Sequence, residues 1–270
     1  MTTSLTERFV VTDDEMMVIA SRVGVQALPL VLNLRPRHGT ETALLDATDH
    51  ATRALTDRGL IRDGEVVSEL APLLQALQRP DRELAMRLVT PDGAARLTVI
   101  RRGVQCVSVR RVGNEIVIEA VLGDPNLSAA ARAVLRQLPT ASPAAIEPVG
   151  APLENVAQAL SDTHDAAQLS DRIRALGADA RAAMVLGSAL ASRLAFAEIV
   201  YYSLDVDADL IARCPAAVGV FYTKRGRIVA APSASPSGQR WTTLKPGSDH
   251  AVKQAIGQLV ELSANRWEEF

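Results

Sequence analysis

The segment from Glu83 to Leu122 constrains this chain more than any other. It holds four strand-like runs, Glu83–Val89, Arg96–Arg101, Val104–Arg111 and Glu115–Leu122, separated by Pro91-Asp92-Gly93, Arg102-Gly103 and Gly113-Asn114. Connections this short cannot carry a parallel crossover, so the runs predict an antiparallel meander. A second set of four, Ala195–Tyr202, Ala217–Thr223, Arg227–Ala231 and Gln239–Leu244, lies near the other end of the chain. Several of these strands are apolar on both faces: Val218, Val220 and Tyr222 share one face, and Phe221 lies on the other. A half-solvated antiparallel strand alternates more cleanly. Either helices cover both faces, or one face carries an apolar patch for a partner.

Helical patterns flank both meanders. Thr12-Asp13-Asp14-Glu15 has the form of a capping box and opens a helix that runs to about Val23. Leu28–Leu34 reads as a strand. Thr40–Arg58 reads as a helix stopped by Gly59, and Val66, Val67, Leu70, Leu73, Leu74 and Leu77 mark an amphipathic helix ended by Pro80. Further helices are expected near Ser128–Gln137, Leu153–Leu160, Ala166–Leu176 and Asp179–Arg193, with a last one capped by Ser248. The succession of helices, four-strand meander and helix therefore occurs twice. The expected class is α/β of the α+β type, in two quasi-symmetric halves. The first half is residues 1–138 and the second residues 153–270; the aperiodic Pro/Ala/Ser-rich stretch 139–152 serves as the linker.

Composition narrows the function. Hydrophobic residues make up 48% of the 270, which excludes a disordered chain, and aromatics only 3%, so the core rests on Ala, Val and Leu. A net charge of −2 gives no general attraction to nucleic acid or anionic membrane. The N-terminus has no basic and apolar leader pattern. The longest apolar stretch, Ala182 to Tyr202, is broken by Arg193 and Glu198, so no membrane insertion and a cytoplasmic location are expected. Cys106 and Cys214 sit among apolar strand residues and read as buried free thiols. No phosphate loop, dinucleotide fingerprint, zinc-protease or nucleophile-elbow motif is present, and the four histidines are scattered. Asp205, Asp207 and Asp209 alternate. However, a calcium loop starting there lacks its sixth-position Gly and twelfth-position Glu, so a solvated turn is expected. No catalytic residue, metal site or cofactor is nominated, and an enzyme is not expected.

The stretch from Val218 to Trp267 combines a hairpin turning at Arg225-Gly226, a small-residue loop from Pro232 to Gly238, Trp241-Thr242, and Pro246-Gly247-Ser248-Asp249 opening a last helix. In this order and spacing it resembles the C-terminal signature of the EspG family, chaperones of type VII (ESX) secretion. The front of the chain agrees through Thr12–Glu15, the Leu28-Pro29-Leu30-Val31-Leu32 run, and Arg58-Gly59-Leu60 followed by a helix ending at Pro80. The resemblance implies two quasi-symmetric halves around a central sheet. It also implies a cytosolic chaperone that holds the helical tip of the PPE subunit in a PE–PPE heterodimer and keeps it soluble for export. It points to the central sheet and the C-terminal helical region as the contact. Aromatic and arginine side chains are common interface anchors, so Phe221, Tyr222, Arg225, Arg227 and Trp241 are the candidate partner-binding residues. Arg225 and Arg227 are expected to project outward. Trp241 also reads as a packed residue fixing the last helix.

A homo-oligomer is possible but not implied, because internal pseudo-symmetry mimics a dimer. A second functional reading is a winged-helix-like DNA-binding regulator, with Thr40–Leu77 as helix, Gly turn and helix. The acidic residues Asp46, Asp49, Asp57, Asp63, Glu65 and Glu69 oppose a phosphate-binding face there.

Overall fold

The computed structural model describes residues 8–35 and 37–269; the leader reading extends to residues 1–7, which lie outside them. The chain divides into two compact units. One comprises residues up to 85 and 95–133, and the other residues 86–94 and 134–269.

In the first unit, β1 (Arg8–Thr12) leads directly into α1 (Asp13–Arg22). Both halves of the capping box form: the Thr12 hydroxyl accepts from Glu15 N at 3.3 Å, and Glu15 Oε2 accepts from Thr12 N at 2.7 Å. Then come α2 (Glu41–Asp57), a small hairpin of β2 (Ile61–Arg62) and β3 (Glu65–Val66), and α3 (Ala71–Gln78). The meander follows as β4 (Arg82–Thr90), whose residues 86–90 count with the second unit, β5 (Gly93–Arg102), β6 (Gln105–Val112) and β7 (Glu115–Ala120), with α4 (Leu127–Leu135) after it. β5, β6, β7 and β1 pair antiparallel in that order. Met16, Ile19, Leu32, Leu55, Leu74 and Leu77 pack with Ile100, Val107, Val109, Ile116 and Ile118 as the core.

Two expectations fail here. Leu28–Leu34 is not a strand; Leu30–Leu32 forms a single 3₁₀ turn that ends at Asn33 with φ 51°. Pro29 has no N–H to give a ladder. The helix read from Val66 begins only at Ala71, with Pro72 in its first turn. Val66 belongs to β3 because Asp63 and Gly64, both at positive φ, make a two-residue hairpin turn. A hairpin therefore stands between α2 and α3, and the helix–turn–helix needed by the DNA-binding reading does not form.

The second unit continues with β8 (Val149–Pro152), α5 (Leu153–Leu160), α6 (Ala166–Ala175) and α7 (Ala180–Ala191). Then come β9 (Arg193–Asp205), β10 (Leu210–Arg213), β11 (Val218–Thr223), β12 (Gly226–Ala234), β13 (Arg240–Pro246) and α8 (Asp249–Glu261). β9, β11, β12, β13 and β8 are neighbours in that order, all antiparallel, and β10 pairs with the end of β9. Both faces are covered, which settles the question the double-sided apolar strands raise. Leu169, Ile173, Leu186 and Leu190 pack with Phe221, Ile228 and Leu244. α8 lies along β12, β11 and β9 with Val252, Ile256 and Leu259 fully buried. The class expected from the sequence, helices with antiparallel meanders, is the class observed.

Candidate protein-binding surface

The hairpin of β11 and β12 carries four of the five nominated residues. Thr223 shapes its turn: its hydroxyl donates to Gly226 O at 2.8 Å and accepts from Arg225 N at 3.1 Å. Gly226 sits at φ 113°, and a Cβ there would stand 2.8 Å from both Ser142 O and Ala144 N. The close approach exists because Arg227 exchanges backbone hydrogen bonds with this earlier segment. Arg227 N donates to Ser142 O at 2.7 Å, and Ala144 N donates to Arg227 O at 2.9 Å. Residues 142–144, inside the aperiodic stretch 139–152, are thereby held against β12.

Arg225 is exposed, as expected, but Arg227 is not; the expectation that it projects outward is corrected. Its side chain is 2% exposed, its Nε donates to Gly247 O, and its guanidinium pairs with Asp249, the first residue of α8. Burial works against its charge, but Asp249 and Tyr222 outweigh this and hold its pKa above the ordinary value. Arg227 is thus an internal clamp between the hairpin and the start of the last helix. Gly247 is part of the clamp: its N–H donates to Arg227 O at 2.8 Å, and a Cβ on it would stand at that same distance from this oxygen.

Tyr222 lies directly across from Arg227 and is buried; burial pushes its phenol upward. Phe221 is also buried, 4.9 Å from Phe196 between ring centres, with the Arg193 guanidinium 5.9 Å from its own ring. Neither aromatic offers its face to solvent, because helices cover both sides of β11. Trp241 is half-buried on β13, opposite Ser233 and Pro152 on its two neighbouring strands. Its indole N–H makes no hydrogen bond among the described residues. The structure therefore joins Phe221, Tyr222 and Arg227 in the interior. It leaves Arg225 and Trp241 accessible at opposite ends of β12, ~26 Å apart along the strand at ~3.3 Å per residue.

Residues missed by sequence reading add to the accessible apolar surface of this unit. Met184 on α7 and Leu194 at the start of β9 are largely exposed. Met184 stands in an apolar helix of mostly small residues, so composition hides which of its faces is uncovered. A cleft of about 560 Å³ between α5 and α6 is bordered by Gln158, Ser161, Asp162 and Arg172, and Arg172 is already engaged with Ser161 O at 2.6 Å.

Cys214 is buried, donates to Leu259 O, and has its thiol pushed up by burial. Cys106 in the first unit is likewise free and buried, its thiol pushed up to about 12. The Asp205 carboxylate is used by its own turn, accepting from Asp207 N and Ala208 N at 3.1 Å. Among the described residues no group of His, Cys, Asp and Glu comes together as a metal site, and no helix is long and apolar enough to cross a membrane.

Comparison with known proteins finds relatives along most of the chain. Residues 12–258 match the EspG family. The chain is 30% identical over 262 residues to the ESX-1 secretion-associated protein EspG1 of Mycobacterium tuberculosis, covering 95% of this chain and 88% of that protein. It is 24% identical to the ESX-5 secretion-associated protein EspG5 of Mycobacterium marinum, covering 77% of each. Among solved structures it superposes on the Mycobacterium tuberculosis type VII secretion system chaperone EspG5, in complex with a PE25–PPE41 dimer, with a TM-score of 0.81. The identity is 20%, over 97% of this chain and 99% of the other.

Proposed function

The chain belongs to the EspG family, and on that premise we propose that it is a cytosolic secretion chaperone that holds a PE–PPE heterodimer through its PPE subunit. The observation that carries this reading is the match of fold along essentially the whole chain to a chaperone solved with such a dimer. The work is holding. Covering the apolar helical tip of a client removes it from water, at ~25 cal/mol per Å² before the costs of association. No bond needs to be made or broken, in keeping with a non-enzymatic family.

In this reading Arg225 and Trp241 are the contact residues, joined by the exposed apolar side chains of α7 and β9. Phe221, Tyr222 and Arg227 act indirectly by fixing the hairpin. We read the chain as two quasi-symmetric halves, 1–138 and 153–270, joined by 139–152, a stretch whose residues 143 and 149–152 are themselves bonded to β12 and β13. Co-expression with each PE–PPE pair of the same genome, followed by size-exclusion chromatography, tests it. A ternary complex with at least one pair is expected; free elution from every well-folded pair contradicts the reading.

A further inference from the structure

The first unit carries an apolar groove that the client-holding role does not use. Two adjoining clefts, of about 340 and 700 Å³, run along one face of α1 and share Met17, Ser21, Leu34 and Arg35. Leu44, Thr48 and Thr52 of α2 wall one cleft, and Pro29 and Leu30 wall the other. Leu30, Leu44 and Met17 are 92, 45 and 43% exposed. Leucines scattered over a surface need no explanation, but these stand along one groove.

The most exposed of them is held in place. Beneath the turn that carries Leu30, Arg111 Nη1 donates to Leu32 O at 2.7 Å and to Asn33 O at 2.8 Å, and Arg96 Nη1 donates to Val31 O at 3.2 Å. Leu32 is fully buried. A backbone fixed in this way presents Leu30 in one position, so docking against it costs little ordering.

Charge and backbone geometry together select the occupant. Both carboxylates that border the groove are already engaged, Asp13 by Arg111 and Arg37, and Asp14 by the His38 ring at 2.9 Å. The two arginines have no ion pair among the described residues. Arg22 donates only to Gly64 O, at 2.7 Å, and Arg35, exposed and bordering both clefts, makes no hydrogen bond there. The unmatched charge is therefore positive. The lining comes from two helices and the segment between them, and no strand edge borders it. An extended chain would find no ladder to join, whereas a helix satisfies its own backbone.

We propose that this groove docks an amphipathic helix of a second partner protein, with large apolar residues at i, i+4 and i+7 and a carboxylate placed to reach Arg35 or Arg22. α1 spans ten residues, so a helix of about three turns, ~15 Å long, matches it. A contact of this size is weak and transient. It lies within the first unit and stands without the client-holding role.

Panning a phage-displayed library of short peptides on the whole chain tests the proposal, with counter-selection on the Leu30→Ser/Arg35→Glu double variant. Both positions are exposed, so the variant keeps its fold, which circular dichroism checks. The enriched peptides are expected to share the apolar spacing and a carboxylate. In fluorescence anisotropy with a synthesised peptide, a central proline is expected to abolish binding. Leu30→Ser and Arg35→Glu are each expected to weaken it about tenfold. Changing the peptide's carboxylate to lysine is expected to make it prefer the Arg35→Glu chain over the unchanged one, a reversal that misfolding cannot mimic. The proposal is overturned if no peptide prefers the unchanged chain to the double variant, or if the central proline is tolerated, which would mean an extended ligand. Binding indifferent to Arg35→Glu overturns it too. So does displacement of the peptide by a PE–PPE dimer, which would make the groove part of the client contact.

Discussion

The starts of α1 and α8 use the same parts to different effect. Each opens with a capping hydroxyl, Thr12 or Ser248, followed by an aspartate, Asp13 or Asp249. In each, a buried arginine from a strand reaches that aspartate and nearby backbone carbonyls. Arg111 of β6 binds Asp13 at 2.6 Å and also the carbonyls of Leu32 and Asn33. Arg227 of β12 binds Asp249 and Gly247 O. The difference is water: the Asp13 side chain is 6% exposed and the Asp249 side chain 78%. Asp13 depends on Arg111 and Arg37 for its charge, and its Oδ1 has no hydrogen-bond partner among the described residues. Water can solvate Asp249, so in this pair it is the buried Arg227, not the aspartate, that depends on its partner. At α8 the geometry is enforced by close approach at Gly226 and Gly247 instead. The first unit also holds every buried carboxylate among the described residues, Asp13, Glu15 and Glu83. In the first unit both members of the pair are buried; in the second only the arginine is, with close contacts at two glycines beside it.

The contrast breaks most readily at Arg111. Arg111→Met leaves the buried Asp13 carboxylate with Arg37 alone and is expected to cost about 3 kcal/mol in urea unfolding; a loss under about 1 kcal/mol would mean that Arg37 alone suffices for its charge. Next, Gly226→Ala and Gly247→Ala each force a methyl against backbone atoms and are expected to cost about 1–3 kcal/mol. The Gly226 change adds the strain of a positive φ. A matched pair sharpens the comparison: Asp249→Asn is expected to cost under about 1 kcal/mol, and Asp13→Asn several times more in the same assay.

The smallest effect is a slope with pH. Burial raises the Glu83 carboxyl above its ordinary value, partly opposed by the Thr98 hydroxyl at 2.8 Å. The folded state therefore holds that proton more tightly than the unfolded chain does. Its contribution is fully present below the ordinary carboxylate range and is lost as pH rises through the raised value. Glu83→Gln is expected to flatten the fall of melting temperature on the alkaline side while changing little in acid. An unchanged slope would mean the carboxyl is ionised in the fold.

What could be read from the sequence was local. The Thr12–Glu15 box, the Ser248 cap and the Gly113-Asn114 turn are complete within four residues, and each forms as read; the Arg102-Gly103 turn falls one residue later, at Gly103-Val104. Val66 was misplaced because an Asp-Gly turn outranked an apolar period. β10 has no alternation to announce it. The nominated site divides for a related reason. Arg225 stands at a turn tip, and sequence alone places such a residue outside. Arg227, two positions on, looks alike locally, but its partners are Asp249 and residues 142–144, far along the chain in both directions. Phe221 and Tyr222 lie in a strand covered on both faces, and only the tertiary arrangement of α5–α8 decides that.

Hydrogen–deuterium exchange on the chain alone and in a purified complex with a PE–PPE dimer tests the central claim most directly. New protection is expected at residues 223–227 and 240–243 and along α7, with α1 and α2 unchanged. Protection confined to α1 and α2, with the β11–β12 turn and Trp241 exchanging as in the free chain, would contradict the account.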